Sequence, residues 1–186
     1  MPFQNLNKGN LLIAEPSLMG DSSFSKSVVL LADLNENGSV GFILNKPLKL
    51  FLNDLVEEID MPLPIYKGGP VEQDSLYFVH KVPEIISNSI QIDDDLYWGG
   101  DYNDLVEGIN SQTIKAKDIR FFLGYSGWTK DQLYNEIDER SWIVSLNEHS
   151  DRIINPEINQ LWKKKMIQLG GDYAIWSNAP EDPHLN

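Results

Sequence analysis

The sequence predicts an α+β domain built on a mixed, largely antiparallel sheet with flanking helices. Three observations lead there. Two apolar, β-branched runs at residues 27–32 and 39–44 flank Asn35-Glu36-Asn37-Gly38, and Asn-Gly is a strong hairpin signal. Further apolar stretches at helical spacing are interleaved with strand-like runs along the rest of the chain. The early strands are thus joined by a hairpin rather than by helical crossovers, which favours this class over a doubly wound parallel sheet.

Taken in order, residues 10–15 read as a buried strand stopped by Pro16, and the hairpin follows. Asn45-Lys46-Pro47 ends its second strand. Phe51, Leu52, Leu55, Val56 and Ile59 then have helical spacing and predict a short amphipathic helix over 51–59. Residues 65–66 lead into a Gly68-Gly69-Pro70 corner, and 75–79 form a strand with His80 at its end. Asp101 is placed to cap a helix carrying Leu105, Val106 and Ile109. Residues 119–123 form a strand running into Gly124-Tyr125-Ser126-Gly127-Trp128, read as a second corner. Thr129-Lys130-Asp131-Gln132 fits a capping box opening a helix with Leu133, Tyr134 and Ile137. Residues 141–146 form a last strand. A final helix is expected to open at Asn155-Pro156, to carry Ile158, Leu161, Trp162, Met166 and Leu169 on one stripe, and to close at Gly170-Gly171.

One domain over residues 1–186 is expected, because a chain of this size buries about 70% of its extended surface and no linker-like segment interrupts it. With no cysteine, disulfides, thiol nucleophiles and cysteine-bound metals are excluded. No secretory leader and no run of about 18 apolar residues is present, so a cytoplasmic protein without a membrane contact is expected. The net charge of −13 repels phosphate backbones and argues against direct nucleic-acid contact. The basic cluster Lys163-Lys164-Lys165 reads as the wet face of the last helix.

The chain lacks a recognisable catalytic set. His80, His149 and His184 have no metal-ligand spacing, and no GxSxG elbow surrounds a serine. Asp93-Asp94-Asp95 reads as a solvated acidic loop, and neither glycine cluster is a phosphate loop. No cofactor or metal is expected. Ser126 and Gly127 do precede a helix start, where free amides can hold a small anion, although Thr129 can satisfy those amides itself.

Several segments in register resemble the bacterial YqgE/AlgH family. They are 9–16, Phe24 with 27–31, 37–47, Gly68-Gly69-Pro70-Val71, 124–128 with Gln132-Leu133, Trp142, Leu161-Trp162 with Leu169-Gly170, and the ending 182–186. The resemblance covers nearly the whole chain. It implies a bacterial cytosolic protein whose strands fold into a barrel-like sheet. It also implies a link to transcriptional regulation, a label that comes with no shared reaction or cofactor. Leu34 stands where a histidine is common in the family and Asp131 where a glycine is expected. A histidine-dependent activity at that hairpin would therefore be missing here.

The expected function is a non-catalytic regulatory or binding module acting through a protein partner or a small ligand. Its expected surface comprises Asn45, Lys46, Pro47, Gly68, Gly69, Pro70, His80, Gly124, Tyr125, Ser126, Gly127 and Trp128. The alternatives are an enzyme for a small polar substrate using His80 or Ser126, and a DNA-binding regulator. The first requires a pocket joining those two side chains to a carboxylate. The second requires a basic stripe.

Overall fold

Successive residues of the first three strands are buried on opposite faces, which is why their sequences read as unbroken apolar runs. The computed structural model describes residues 6–147, 153–154 and 160–180. Its first strands are β1 (Leu11–Ala14), β2 (Val28–Asn35) and β3 (Gly38–Ile43). Leu11, Ile13, Val28, Leu30 and Phe42 enter one core cluster. Their neighbours Leu12, Ala14, Val29, Leu31 and Ile43 enter another, on the other side of the sheet. A strand's side chains alternate with period two, so both faces must be apolar when both are covered.

The remaining strands are β4 (Pro47–Phe51), β5 (Pro64–Lys67), β6 (Val71–His80), β7 (Ile90–Gln91), β8 (Tyr97–Trp98), β9 (Ile119–Trp128) and β10 (Trp142–Ser145). The helices are α1 (Leu52–Leu55), α2 (Tyr102–Asn110), α3 (Lys130–Asp138), α4 (Leu161–Leu169) and α5 (Gly171–Trp176). Strand order is β10-β1-β2-β3-β9-β6-β8-β7, with β5 on β9 and β4 on β5. Among these pairings only β5 with β9 is parallel, so the predicted mixed, mainly antiparallel α+β class is what the chain forms. The sheet ends at β10 and β7 and is not closed into a barrel. It curls instead around the cluster of Leu11, Val28 and Phe42, which also takes Tyr66, Val79 and Phe122 from the other half and Trp162 and Met166 from α4.

Strand β9 belongs to both halves. Its first part lies between β5 (Ile65↔Phe121, Lys67↔Leu123) and β6 (Phe78↔Phe121, Leu76↔Leu123). Its last part pairs with β3 (Ser39↔Trp128, Gly41↔Ser126). The stretch 124–128 is therefore not a corner after a strand, as expected, but the second half of one. The bend occurs within it, at Gly124, whose φ of +71° a side chain rarely adopts. Facing it, Gly68 and Gly69 lie so close that a Cβ would come within 2.1 Å of the Gly124 oxygen and 2.2 Å of the Tyr125 carbonyl carbon, respectively. Backbone meets backbone there.

Two helix starts match their sequence signals. Asp101 Oδ1 accepts from the Asp104 amide at 3.0 Å, and Thr129 Oγ1 accepts from the Gln132 amide at 3.3 Å while Gln132 reaches back to the Thr129 amide. The helix expected over 51–59 is shorter. Residues Pro47–Phe51 are drawn into β4 by pairing with β5 (Pro47↔Tyr66), and α1 stops at Leu55 because Val56 is extended (φ −120°, ψ 102°). Leu52, Val56 and Ile59 are all buried, so the apolar spacing was real while the conformation was not helical throughout. The hairpin stands as predicted, with Glu36-Asn37 at its tip and Gly38 paired to Asn35. Beyond Gly170 the chain continues into α5, which no sequence signal announced. The expected helix opening at Asn155-Pro156, with Ile158, and the residues His149 and His184 lie outside the described residues.

Helix α3 is held by one carboxylate. Glu136 Oε2 accepts from Trp128 Nε1 at 2.9 Å and from Trp142 Nε1 at 2.8 Å, and its Oε1 accepts from Gln132 Nε2. Phe24 stacks on Trp128 and meets Trp142 edge-on. Among the described residues no helix is long and apolar enough to cross a membrane.

The glycine contact makes a measurable claim. Gly69→Ala is expected to lower stability by about 3 kcal/mol, the upper range for overpacking, because rigid backbone rather than a mobile side chain is in the way. Gly20→Ala, with nothing within 4 Å of the added carbon, is expected to stay within about 0.5 kcal/mol. Denaturant midpoints of the two variants test this, and equal effects would contradict it.

Candidate functional site

Asn45, at the end of the hairpin, is a structural pin before it is anything else. Its Oδ1 accepts from the Val28 amide at 2.9 Å and its Nδ2 donates to the Lys26 carbonyl at 2.8 Å, tying the entry of β2 to the exit of β3. Lys26 is held with φ at +53°. From the opposite side, the buried Arg120 of β9 donates to the Leu44 carbonyl at 2.9 Å. Its guanidinium lies 4.0 Å from the centre of the Tyr66 ring, and burial pushes its pKa down to about 10. The Lys67 amide donates to the Lys46 carbonyl at 2.8 Å, so β5 fixes the next residue as well.

These pinned residues form one wall of a pocket of about 750 Å³, a size typical of small-molecule sites. Ser25, Lys26, Asn45, Lys46 and Pro47 line this wall. Gln160, Trp162 and Lys163 of the α4 region, and Ser177, Asn178 and Ala179 beyond α5, line the rest. Three lysines are thus among the lining residues, and among the described ones there is no carboxylate. Burial, and next the charge of Lys67, hold the Lys46 ammonium below the usual lysine range, with Asp21 opposing. Lys46 Nζ donates to the Ser23 carbonyl at 2.9 Å. Lys26 Nζ donates to the carbonyls of Ala179 and Pro180 and sits 5.5 Å from the centre of the Trp162 ring.

Of the residues expected at the surface, Asn45, Lys46 and Pro47 therefore line a cavity together. The glycine segments lie beside one another, but their role is close packing. Gly68, Gly69, Gly124, Ser126 and Trp128 are buried. Ser126 Oγ donates to the Gly68 carbonyl at 3.1 Å, and Trp128 is taken up by Glu136. Pro70, Tyr125 and Gly127 are half-buried, with Tyr125 edge-on to Tyr77. Thr129 serves as the cap of α3 itself.

His80 is fully buried at the end of β6 and fastens a different loop. Its Nδ1 accepts from the Val82 amide at 3.2 Å, which leaves Nε2–H to donate to the Gly99 carbonyl at 3.0 Å; Ser89 Oγ also lies 3.0 Å from Nε2. The hydrogen bonds of His80 and Ser126 thus run to different partners, and neither residue lines the 750 Å³ pocket. Asp93 holds its own turn, its Oδ1 accepting from the amides of Asp95 and Leu96. Among the described residues no three His, Asp or Glu side chains group so as to hold a metal.

Sequence reasoning missed Lys26, Lys163, Ser177 and Asn178. Lys163 was read as part of a wet helical face, which it is, but that face borders the pocket. Lys26, Lys46 and Lys163 are too far apart in sequence for spacing to reveal them.

A family model described as AlgH-like matches residues 11–174. A UPF0301 protein of Cytophaga hutchinsonii is 45% identical over 184 residues, covering 97% of this chain and 100% of the relative. One from Bacteroides fragilis is 43% identical over 183 residues, covering 97% and 91%. Among solved structures, the solution structure of the AlgH protein from Pseudomonas aeruginosa matches with a TM-score of 0.71 at 24% identity, over 97% of each chain. The crystal structure of a Corynebacterium diphtheriae protein matches with a TM-score of 0.73 at 22% identity, over 96% and 95%. At such identities the likeness to the solved structures is one of fold.

The buried imidazole carries a pH signature. Burial, outweighing the Gly99 carbonyl and Glu84, holds His80 below its ordinary value of 6.5. As pH falls, the unfolded chain takes up the proton first, so the stability His80 provides is present in full above about pH 6.5 and is lost as pH drops below it. Thermal melts from pH 7.5 to 5 are expected to show this decline, and His80→Gln, which does not titrate, to flatten it. An unchanged slope in the variant would contradict this role.

Proposed function

This chain belongs to the AlgH-like family, and from that premise we propose that it is a non-catalytic regulatory module that works by taking up a small ligand in the lysine-lined pocket. The observation that carries this reading is a cavity of about 750 Å³ lined by three lysines, whose polar wall is held in place by Asn45. Pre-set polar groups around a concave space are what a binding site requires. The side chains that an enzymatic reading would use are committed elsewhere: His80 to the 82–99 region and Ser126 to Gly68.

A regulatory effect through contact with DNA is a weaker reading. With 28 acidic against 15 basic residues the outer field of the chain opposes a duplex, and phosphate contacts are what supply most of the affinity of duplex binders. A concave pocket whose described lining carries three lysines suits a small molecule better than a polymer.

A metabolite screen by thermal shift tests the proposal. A ligand present at about 100 times its Kd is expected to stabilise the chain by about 2.7 kcal/mol, and Lys46→Met is expected to abolish that gain while leaving the unliganded melting temperature within a few degrees. Retention of a DNA duplex at low salt, or a ligand whose effect survives Lys46→Met, would overturn it.

A further inference from the structure

We propose that His80 is a proton-sensitive latch on residues 81–101, and that this segment opens as a unit in mild acid while the rest of the sheet stays closed. None of residues 80–101 lines the 750 Å³ pocket. Topology makes the segment separable. It leaves the end of β6 and returns to it, since β8 pairs with β6 (Val79↔Trp98, His80↔Tyr97), β7 pairs with β8, and β7 is the last strand in the sheet order. On its other side β6 is paired with β9. Lifting 81–101 away therefore leaves the ladder of β1, β2, β3, β9 and β6 in place, and uncovers the buried Val82 and Ile86.

The latch grips both ends of the segment. His80 Nδ1 accepts from the Val82 amide at 3.2 Å and Nε2–H donates to the Gly99 carbonyl at 3.0 Å. Ser89 Oγ gives its own hydrogen to the Ile86 carbonyl at 2.6 Å, so its 3.0 Å contact with Nε2 supplies a second acceptor for the same N–H. This set of bonds needs the neutral ring with its proton on Nε2. A second proton would sit on Nδ1 and turn that acceptor into a donor facing the Val82 N–H, so the imidazolium must release the amide.

The neighbouring charges do not reverse this. Tyr97 of β8 stacks on the ring at 6.1 Å and lines a recess of about 400 Å³ together with Lys81, Glu84, Asp94 and Asp95. From the β9 side, Ile119 is paired with His80, and the Asp118 carbonyl accepts from the Lys81 amide. Burial holds the closed ring below its ordinary value of 6.5, outweighing the Gly99 carbonyl and Glu84, which favour the cation. Once the segment lifts, the ring meets water and that penalty goes, so below about pH 6.5 protons favour the open form. Two rim contacts also hold the segment: Ser87 on Asp104 Oδ2, and Lys8 Nζ on the Gln91 carbonyl. Ser87 keeps the Asp104 carboxyl below its ordinary value of 3.8, so that contact is unchanged in mild acid.

Native-state hydrogen exchange of the full chain at pH 7.5 and 5.5, read as protection factors over low denaturant concentrations, tests the latch. The amides of Val82, Ile86 and Asp101, bonded to His80 Nδ1, the Val82 carbonyl and the Ser87 carbonyl, are expected to exchange through an opening of lower free energy and smaller denaturant dependence than Ile43 and Gly68. Its equilibrium constant is expected to rise several-fold from pH 7.5 to 5.5, with about tenfold as the limit for one proton. In His80→Gln the same opening is expected at both pH values, with a constant that no longer changes. Nitrogen-15 shifts of the wild-type ring give a second reading that needs no variant: at pH 7.5 they are expected to show the neutral form protonated on Nε2. The other tautomer or an imidazolium at pH 7.5 would overturn the latch. So would exchange of Val82, Ile86 and Asp101 at the free energy of Ile43, a local opening indifferent to pH, or a pH response that survives in His80→Gln.

Discussion

The approach of Gly68 and Gly69 to Gly124 and Tyr125 is the constraint from which the rest of the structure follows. Strand β9 can serve two half-sheets only if it bends midway, and the bend brings its backbone against the chain leaving β5. A single added carbon at Gly69 would lie 2.2 Å from the Tyr125 carbonyl, a distance that side-chain motion cannot relieve. With glycine at these positions, the Gly68 amide donates to the Leu123 carbonyl and the Gly68 carbonyl accepts from Ile43 and from Ser126 Oγ. One residue thereby joins β3, β5 and β9, and the polar groups freed by the bend are satisfied.

That junction also positions the pocket. Two residues beyond Ile43 the chain reaches Asn45, whose carboxamide secures Val28 and Lys26, and the residue before Gly68 secures the Lys46 carbonyl. Arg120, in the part of β9 before the bend, braces Leu44. The lysines are therefore presented by hydrogen-bonded backbone rather than by a mobile loop, which lowers the ordering cost of binding. Helix α4 brings the third lysine because Trp162 and Met166 must fill the core around which the sheet curls, and Trp162 Nε1 donates to the Ala14 carbonyl at 2.8 Å. Packing and the proposed site share these residues.

What was legible in the sequence was local chemistry. The Asp101 cap and the Thr129–Gln132 box were readable because the donor and acceptor lie within one turn. The hairpin was readable from its turn residues and flanking runs. The glycine segments stood out as special, yet their reason did not, since the atoms that forbid a side chain at Gly69 belong to Tyr125. The helix over 51–59 was overextended for a related reason: its apolar spacing was correct, but pairing of β4 with β5 claimed its beginning. Part of the candidate site was visible, as Asn45, Lys46 and Pro47 follow closely on a strand. The rest, Lys26 and Lys163 among it, is assembled by tertiary structure and carries no short-range mark.

If the glycine junction fastens both halves, they open together. Native-state hydrogen exchange of the Ile43 and Gly68 amides tests this most directly, because these two donors span β3, β5 and β9. The account predicts that both exchange only through global unfolding, with the same free energy and the same denaturant dependence as the most protected amides of β2 and β9. Exchange of Ile43 and Gly68 through a lower-energy opening, with β2 and β9 still protected, would contradict it.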